Sequence, residues 1–222
     1  MQQFEKIDLE TIIHNSPIIV FLWKAEKNWP VEFVSESINQ FGYTPKDFES
    51  GRYVYGDIVH PDDMDQVQKK LSRYIKSGYK QFTQEYRIFS KTGDIHWVTE
   101  RTFIIKDVAG EVTHYQGIII DITERKETEK ALKESEKKFK SLFNNTNDSI
   151  FICGTDGCFL EVNQSACGYL GYSKEELLQM KISDIHPPDT KPDVYTINKL
   201  KENGHSIFET THAHRNGKVI PI

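Results

Sequence analysis

Several stretches in the first half of the chain alternate apolar and polar residues, the period-of-two pattern that a half-buried strand imposes. Residues 18–23 form a run of β-branched and aromatic side chains from Ile18 to Trp23. Residues 31–34 are its expected hairpin partner across Asn28, Trp29 and Pro30. Residues 82–89, 95–105 and 112–120 read as three further strands, joined by turns at Lys91, Thr92, Gly93 and Asp94 and at residues 107–110. Helical signals fall elsewhere: a short helix is expected over residues 9–15, and Thr44-Pro45 and His60-Pro61 each place a polar residue just before a proline that can open a helix. The helix that begins at Pro61 has Asp62 and Asp63 in its first turn and Val67, Leu71, Tyr74 and Ile75 on one face, and stops at Ser77-Gly78. Two strands, several short helices and a three-strand meander predict an α+β fold, an antiparallel sheet with its helices on one face.

After the last strand the pattern switches abruptly. Glu127, Lys130, Ala131, Leu132, Lys133 and Glu136 are good helix formers with no Gly or Pro among them. Asp121, Ile122 and Thr123 mark the point where strand passes into helix. The Thr123 hydroxyl is expected to accept from an amide of the first helical turn, while Asp121 and Glu124 place negative charge at the positive end of the helix dipole. A helix fixed in this way to the end of a sheet converts movement of the sheet into movement of the helix. Asp121, Ile122 and Thr123 are therefore the expected signal-transmission residues.

The second half repeats the first. Gly42-Tyr43-Thr44 returns as Gly171-Tyr172-Ser173, His60-Pro61 as His186-Pro187, Gly78 as Gly204, and Lys91-Thr92-Gly93 as Arg215-Asn216-Gly217, at an offset that shrinks slowly along the chain. The counterpart of Asp121 falls beyond Ile222, so the second copy is expected to be incomplete, leaving residues 208–214 near an open edge. The expected organisation is a first domain over residues 1–123, a helical linker over 124–142, and a second domain over 143–222 truncated before its last strand. In the linker, Arg125, Leu132 and Phe139 are spaced by seven, as are Thr128, Ser135 and Leu142, a weak seam for a parallel helix pair.

Composition narrows the function. The chain has 222 residues and a net charge of −5, with no basic patch, which argues against nucleic acid as a partner. No stretch approaches the length of apolar sequence that crosses a bilayer, and the N-terminus lacks a signal-peptide pattern, so the segment is expected in the cytoplasm. The three cysteines, Cys153, Cys158 and Cys167, lack metal-type spacing and read as reduced thiols; Cys153 and Cys158 flank a turn and would face each other across two strands. His60 and His186, each before a helix-starting proline, read as structural caps rather than catalytic groups or haem ligands. His212 and His214 would share one face of a strand, and without a nearby third ligand they read as a solvated edge pair rather than a metal site. No phosphate-binding glycine motif, phosphate-accepting helical His or nucleophile and base constellation is present, so the segment is not expected to be an enzyme.

Taken in order, Gly42-Tyr43, the His60-Pro61-Asp62-Asp63 box, Glu85-Tyr86-Arg87, Lys91-Thr92-Gly93 followed by Trp97, and Asp121-Ile122-Thr123 resemble PAS domains, the sensor modules of two-component signalling. The second copy carries the resemblance through Asn147-Asp148-Ser149-Ile150, Glu161-Val162-Asn163, Gly171 to Leu177 and Asn216-Gly217, and the linker is similar to those joining tandem PAS domains of sensor histidine kinases. The resemblance implies a five-stranded antiparallel sheet cupping a small cavity under short helices, present twice, with output through the C-terminal helix. The cavity of the first copy would be lined by some of Phe21, Phe33, Tyr86, Trp97, Phe103 and Gln116, and a fully packed core stands beside that reading. The cofactor is unknown. The first copy has no cysteine for a flavin thioether, the surroundings of Cys167 do not match the light-sensing pattern, and C-x-x-C-H haem attachment is absent. The expected partners are a small-molecule ligand, a second copy of the chain through the linker helix or the sheet, and a downstream histidine kinase domain. The alternatives are a ligand-free dimerisation scaffold and the input region of a cyclic-dinucleotide cyclase.

Overall fold

A computed structural model describes residues 17–187, 205 and 207–222. The short helix expected over residues 9–15 lies outside them, as do Gly204 and the segment that follows Pro187. The chain divides into two compact units, Met1–Lys130 and Ala131–Ile222.

The first unit is built on five strands: β1 (Ile19–Lys24), β2 (Val31–Val34), β3 (Gln81–Phe89), β4 (Ile95–Lys106) and β5 (Val112–Asp121). They form one sheet in the order β2-β1-β5-β4-β3, with every adjacent pair antiparallel. Between β2 and β3 run a 3-10 helix (Glu36–Phe41) and three helices, α1 (Pro45–Glu49), α2 (Tyr55–Ile58) and α3 (Pro61–Lys76). This is the expected order of elements and the expected fold class.

Strand alternation decides what faces inward. Ile19, Phe21 and Trp23 of β1, Phe82, Gln84, Tyr86 and Ile88 of β3, Val98, Glu100 and Thr102 of β4, and Tyr115 and Ile119 of β5 are all buried. The helices cover this face with Ile38, Phe41, Phe48, Tyr55, Ile58, Val67 and Leu71. Phe21 meets the edge of Phe48 at 5.7 Å and of Tyr55 at 5.0 Å, an arrangement that aromatic quadrupoles favour.

The helix starts expected from proline hold. The His60 ring accepts from the Asp62 amide, and the Asp63 carboxylate takes the Arg87 guanidinium in a two-point contact at 2.9 and 2.7 Å, tying the first turn of α3 to β3. The Asp47 carboxylate accepts from the Thr44 amide in the first turn of α1 and from Lys91 at 2.8 Å; that lysine bond foremost holds its pKa down at about 2. His60 is thus a cap, as its position before Pro61 indicated.

In the second unit, among the described residues, the sheets are short: β6 (Phe151–Cys153) with β7 (Phe159–Val162), and β8 (Thr211–Ala213) with β9 (Val219–Pro221). Helix α4 (Thr123–Asn145) precedes them, and α5 (Gln164–Leu170) and α6 (Lys174–Leu177) lie between β7 and β8. A small core gathers Phe159, Val162, Ala166, Leu170, Leu177 and Ile185. Asn163 is buried beside it; its amide donates to the carbonyls of Phe143 and Asp148, and its oxygen accepts from the amides of Ile150 and Ala166. Ser173 and Glu176 form the expected capping box. Cys153 pairs in register with Phe159 rather than facing Cys158, because the register shifts next to the turn.

Gly117 is required by its neighbour. It sits opposite Phe21, and a Cβ there would fall 1.9 Å from the Trp23 ring, which lies on the sheet at that point. Gly117→Ala is expected to destabilise the first unit by about 1–3 kcal/mol through overpacking, read as a lower midpoint in urea unfolding followed by tryptophan emission.

Candidate functional site

On the inner face of the first sheet, between β3, β4 and the helices, lies a cavity of about 20 Å³ lined by Trp23, Trp29, Tyr55, Gln84, Glu100 and Tyr115 among others. That volume holds about one water molecule. Its charged feature is Glu100, a buried carboxylate among aromatic and aliphatic side chains and beside Gln84 and Thr102. One Glu100 oxygen accepts from the Gln84 amide at 2.9 Å and from the Tyr86 hydroxyl at 2.5 Å, and the other accepts from the Thr102 hydroxyl. Tyr86 meets the Tyr55 hydroxyl at 2.6 Å, so a chain of hydrogen bonds runs from helix α2 to strand β4. Burial first, and the Glu100 charge second, push the phenol pKa of both Tyr55 and Tyr86 well above its ordinary value. Both phenols remain protonated donors.

The expected lining divides between the two faces of the sheet. Phe21 and Tyr86 are buried on the inner face. Phe33, Trp97, Phe103 and Gln116 are on the outer face instead. The register carries one row across it, Phe33 opposite Leu22, Leu22 opposite Gln116, and Gln116 opposite Phe103. Phe33 is 49% exposed and Gln116 is exposed. The physical reason is phase: Trp97 and Phe103 are odd-numbered neighbours of Val98 and Thr102, which point inward, so they point out. The signal that would have found Glu100 is the same alternation, since Val98, Glu100 and Thr102 share a face and a charged residue in the inward phase of a strand is rare.

Trp97 belongs to a different feature, the junction of sheet and helix. The Trp97 amide donates to the Thr123 hydroxyl oxygen at 2.9 Å, and the Trp97 carbonyl accepts from the Ile122 amide at 2.8 Å. The expected bond from Thr123 to an amide of its own helix is replaced by this bond across to β4. Asp121 does the local capping: one oxygen accepts from both the Thr123 amide and the Thr123 hydroxyl, and the other contacts the His96 ring at 3.0 Å. One turn on, Arg125 and Lys126 both reach Glu85 of β3, at 2.6 and 2.7 Å, and their bonds hold its carboxyl below the usual range. Lys126 also lies over the Trp97 ring at 5.3 Å. Asp121, Ile122 and Thr123 are therefore brought together in one bonded cluster with Trp97.

In the second unit His212 is buried rather than solvated, and His214 falls past the end of β8. The His212 ring lies 5.2 Å from His186 and 6.0 Å from Phe151, and its Nδ1 has no hydrogen-bond partner among the described residues. The expected solvated pair is overturned because β8 pairs with β9 and turns His212 toward Phe151 and Tyr169. No group of three or more His, Cys, Asp or Glu that could hold a metal is present among the described residues. The thiol pKa values of Cys153 and Cys167 are raised chiefly by burial, and that of Cys158 chiefly by its bond to Asp156, which keeps all three from being nucleophilic thiolates.

Comparison with known proteins places these features in context. A family described as PAS fold matches residues 31–119, and one described as PAS domain matches residues 147–222. A methyl sulfide methyltransferase-associated sensor of Methanosarcina acetivorans is 51% identical over 125 residues, 56% of this chain and 12% of that protein. Sporulation kinase E of Bacillus subtilis is 30% identical over 133 residues, covering 60% of this chain and 17% of the kinase. The "Probable diguanylate cyclase DgcE" of Escherichia coli is 32% identical over 95 residues, 41% of this chain and 8% of that protein. The matched segments thus span under a fifth of each relative's length. No helix among the described residues is long and apolar enough to cross a membrane.

The buried imidazole makes a pH prediction. Burial, then the proximity of His186, lower the His212 pKa from 6.5 to about 4. The folded state refuses a proton that the unfolded chain accepts, so stability is full above pH about 6.5 and is lost as pH falls from there toward 4. The urea midpoint of the second unit is expected to drop between pH 7 and 4.5, and His212→Phe is expected to flatten that dependence.

Proposed function

The chain is built of two PAS domains in tandem, and from that premise we propose that it is the sensory input segment of a cytoplasmic signalling protein. In this reading a small ligand in the first domain alters the sheet, the Asp121, Ile122 and Thr123 junction passes the change to helix α4, and the second domain relays it to an output domain of the histidine kinase class. The segment itself carries no catalytic step.

The observation that supports the reading most directly is the sharing of strands. Gln84 and Tyr86 hold Glu100 on the cavity side, while Glu85 between them holds Arg125 and Lys126 on the helix side. On β4, Val98 and Glu100 face inward while Trp97 bonds Thr123 and Ile122. A ligand that shifts Glu100 displaces strands that are bonded to the start of α4. Coupling between sites in proteins is commonly about 1–3 kcal/mol, the scale of one or two such bonds.

Sporulation kinase E supports the kinase class of output, and DgcE keeps a cyclic-dinucleotide cyclase as the competing class. A dimer through the helix is supported by Leu132, Phe139 and Leu142, all more than half exposed on α4. The scaffold reading keeps that dimer and drops the ligand.

Asp121→Ala combined with Thr123→Ala is expected to leave the unfolding midpoint of the first domain within a few degrees, to raise amide exchange in the first turns of α4, and to abolish the signal response of the full-length protein. An unchanged response with a folded domain would sink the proposed route.

A further inference from the structure

The cavity of the first domain is bordered by oxygens that still have lone pairs to offer, because the nearby hydroxyl hydrogens are committed to Glu100. Tyr86 and Thr102 each donate their single hydroxyl hydrogen to that carboxylate. With the Tyr86 hydrogen placed there, the 2.6 Å contact between the Tyr55 and Tyr86 hydroxyls has Tyr55 as its donor. The Tyr55 and Thr102 oxygens therefore keep acceptor capacity. Glu100 accepts from Gln84, Tyr86 and Thr102, and a carboxylate with about four lone-pair sites has room for one more donor. Glu100, Tyr55 and Thr102 all line the cavity, and none is more than 5% exposed. No Lys, Arg or His nitrogen lies within 4.0 Å of Glu100 among the described residues. Hydrogen bonds satisfy such a carboxylate without neutralising it, and a buried charge that lacks a counter-charge is costly.

Size and wall chemistry narrow the occupant. A space of about 20 Å³ holds one particle the size of water, so an ion that carries even one carbon exceeds it. Trp23, Trp29, Phe82 and Tyr115 supply ring surface around the same space. Aromatic faces attract cations through the ring quadrupole, most strongly where water is excluded. An anion would meet Glu100 and the negative ring faces together. Potassium has the right charge and nearly the right size, but filters that hold it surround it with oxygens, and most of this wall is ring carbon. Water suits the Trp23 indole N–H, which has no partner among the described residues, yet it donates at most two hydrogen bonds and leaves the Glu100 charge uncompensated. Ammonium is the size of water, carries four N–H donors and supplies the missing charge.

We propose that this cavity binds a single ammonium ion, which donates to Glu100, Tyr55 and Thr102 and turns its remaining N–H toward the ring faces. The ion takes the place of the one water the space can hold, and nothing enters with it. The assignment rests on reading the first domain as ligand-sensing, and it names the ligand as an inorganic cation rather than a metabolite with a carbon skeleton.

The three acceptors lie on two elements. Tyr55 belongs to α2, which covers the sheet, while Glu100 and Thr102 belong to β4. An ion that bonds all three draws the helical cover and the strand together. The same strand carries Trp97, whose amide and carbonyl bond Thr123 and Ile122 at the start of α4. Loss of the ion returns Glu100 to hydrogen bonds alone, so the two states differ in the position of β4 relative to its cover.

The test titrates the whole chain with ammonium chloride, potassium chloride or methylammonium chloride at neutral pH, with sodium chloride holding the ionic strength constant. Binding is followed by tryptophan emission and by NMR of isotope-labelled ammonium. Saturable binding of ammonium is expected with a Kd of about 10–100 mM, the range that a ligand of one heavy atom can reach. Potassium and methylammonium are each expected to bind about tenfold more weakly or not at all, the first for want of oxygens and the second for its size. Glu100→Gln is expected to abolish saturation by ammonium. If Glu100→Gln unfolds, Tyr55→Phe keeps the carboxylate and the ring and is expected to weaken ammonium about tenfold, the loss of one hydrogen bond from a charged donor. Ammonium binding that changes amide exchange in the first turns of α4 upholds the site and the sensing reading together. Binding that leaves that exchange unchanged upholds the site and counts against the cavity as the signal input. No saturable response to ammonium, as when water keeps the cavity, overturns the assignment. Equal binding of potassium or methylammonium, or ammonium binding untouched by the substitutions, overturns it too, and the double substitution at the junction then tests sensing on its own.

Discussion

Neighbouring residues of a β-strand point to opposite faces, and the first domain depends on that constraint in β3 and β4. Gln84, Tyr86 and Glu100 occupy the inward phase, where Gln84 and Glu100 line the cavity and Tyr86 donates to Glu100; Glu85 and Trp97 occupy the outward phase and hold the start of α4. Pocket and helix clamp are separated by the thickness of one sheet. No long chain of contacts is needed to connect them, because the same peptide units carry both.

The interior accepts unusual chemistry to do this. Among the described residues a carboxylate is buried with three hydrogen-bond donors and no cation, two consecutive residues hold left-handed backbone at Asn28 and Trp29, and an indole N–H is left without a partner. Each is a local cost, and Glu100, Trp29 and Trp23 all line one small cavity. Outside it the domain is conventionally satisfied: Arg87 and Asp63 fix α3 to β3, Lys91 and Asp47 fix α1 to the β3–β4 turn, and edge-on aromatic contacts fill the core.

The two units use related sequence signals with different results. Gly42-Tyr43-Thr44 and Gly171-Tyr172-Ser173 each place a left-handed glycine before a capped helix. His60 caps α3, whereas His186 lies beside a buried His212 that has no counterpart in the first unit. Repetition in the sequence therefore carried the framework and not the interior chemistry.

The sequence by itself determined the order of elements, the antiparallel α+β class, the repeat, the helix starts at Pro45 and Pro61 and the passage from strand to helix at Asp121, Ile122 and Thr123. These follow from local rules: a period of two or 3.6, and caps and turns that act within four residues. Its choice of cavity residues went astray where large aromatics were taken without their phase, so Phe33, Trp97, Phe103 and Gln116 belong to the outer face. Only the tertiary structure decided which strands lie side by side, and through that register brought Glu100 to Gln84 and Tyr86, Trp97 to Thr123, and Glu85 to Lys126. Those contacts join residues far apart in the chain, and no local pattern encodes the pairing that creates them.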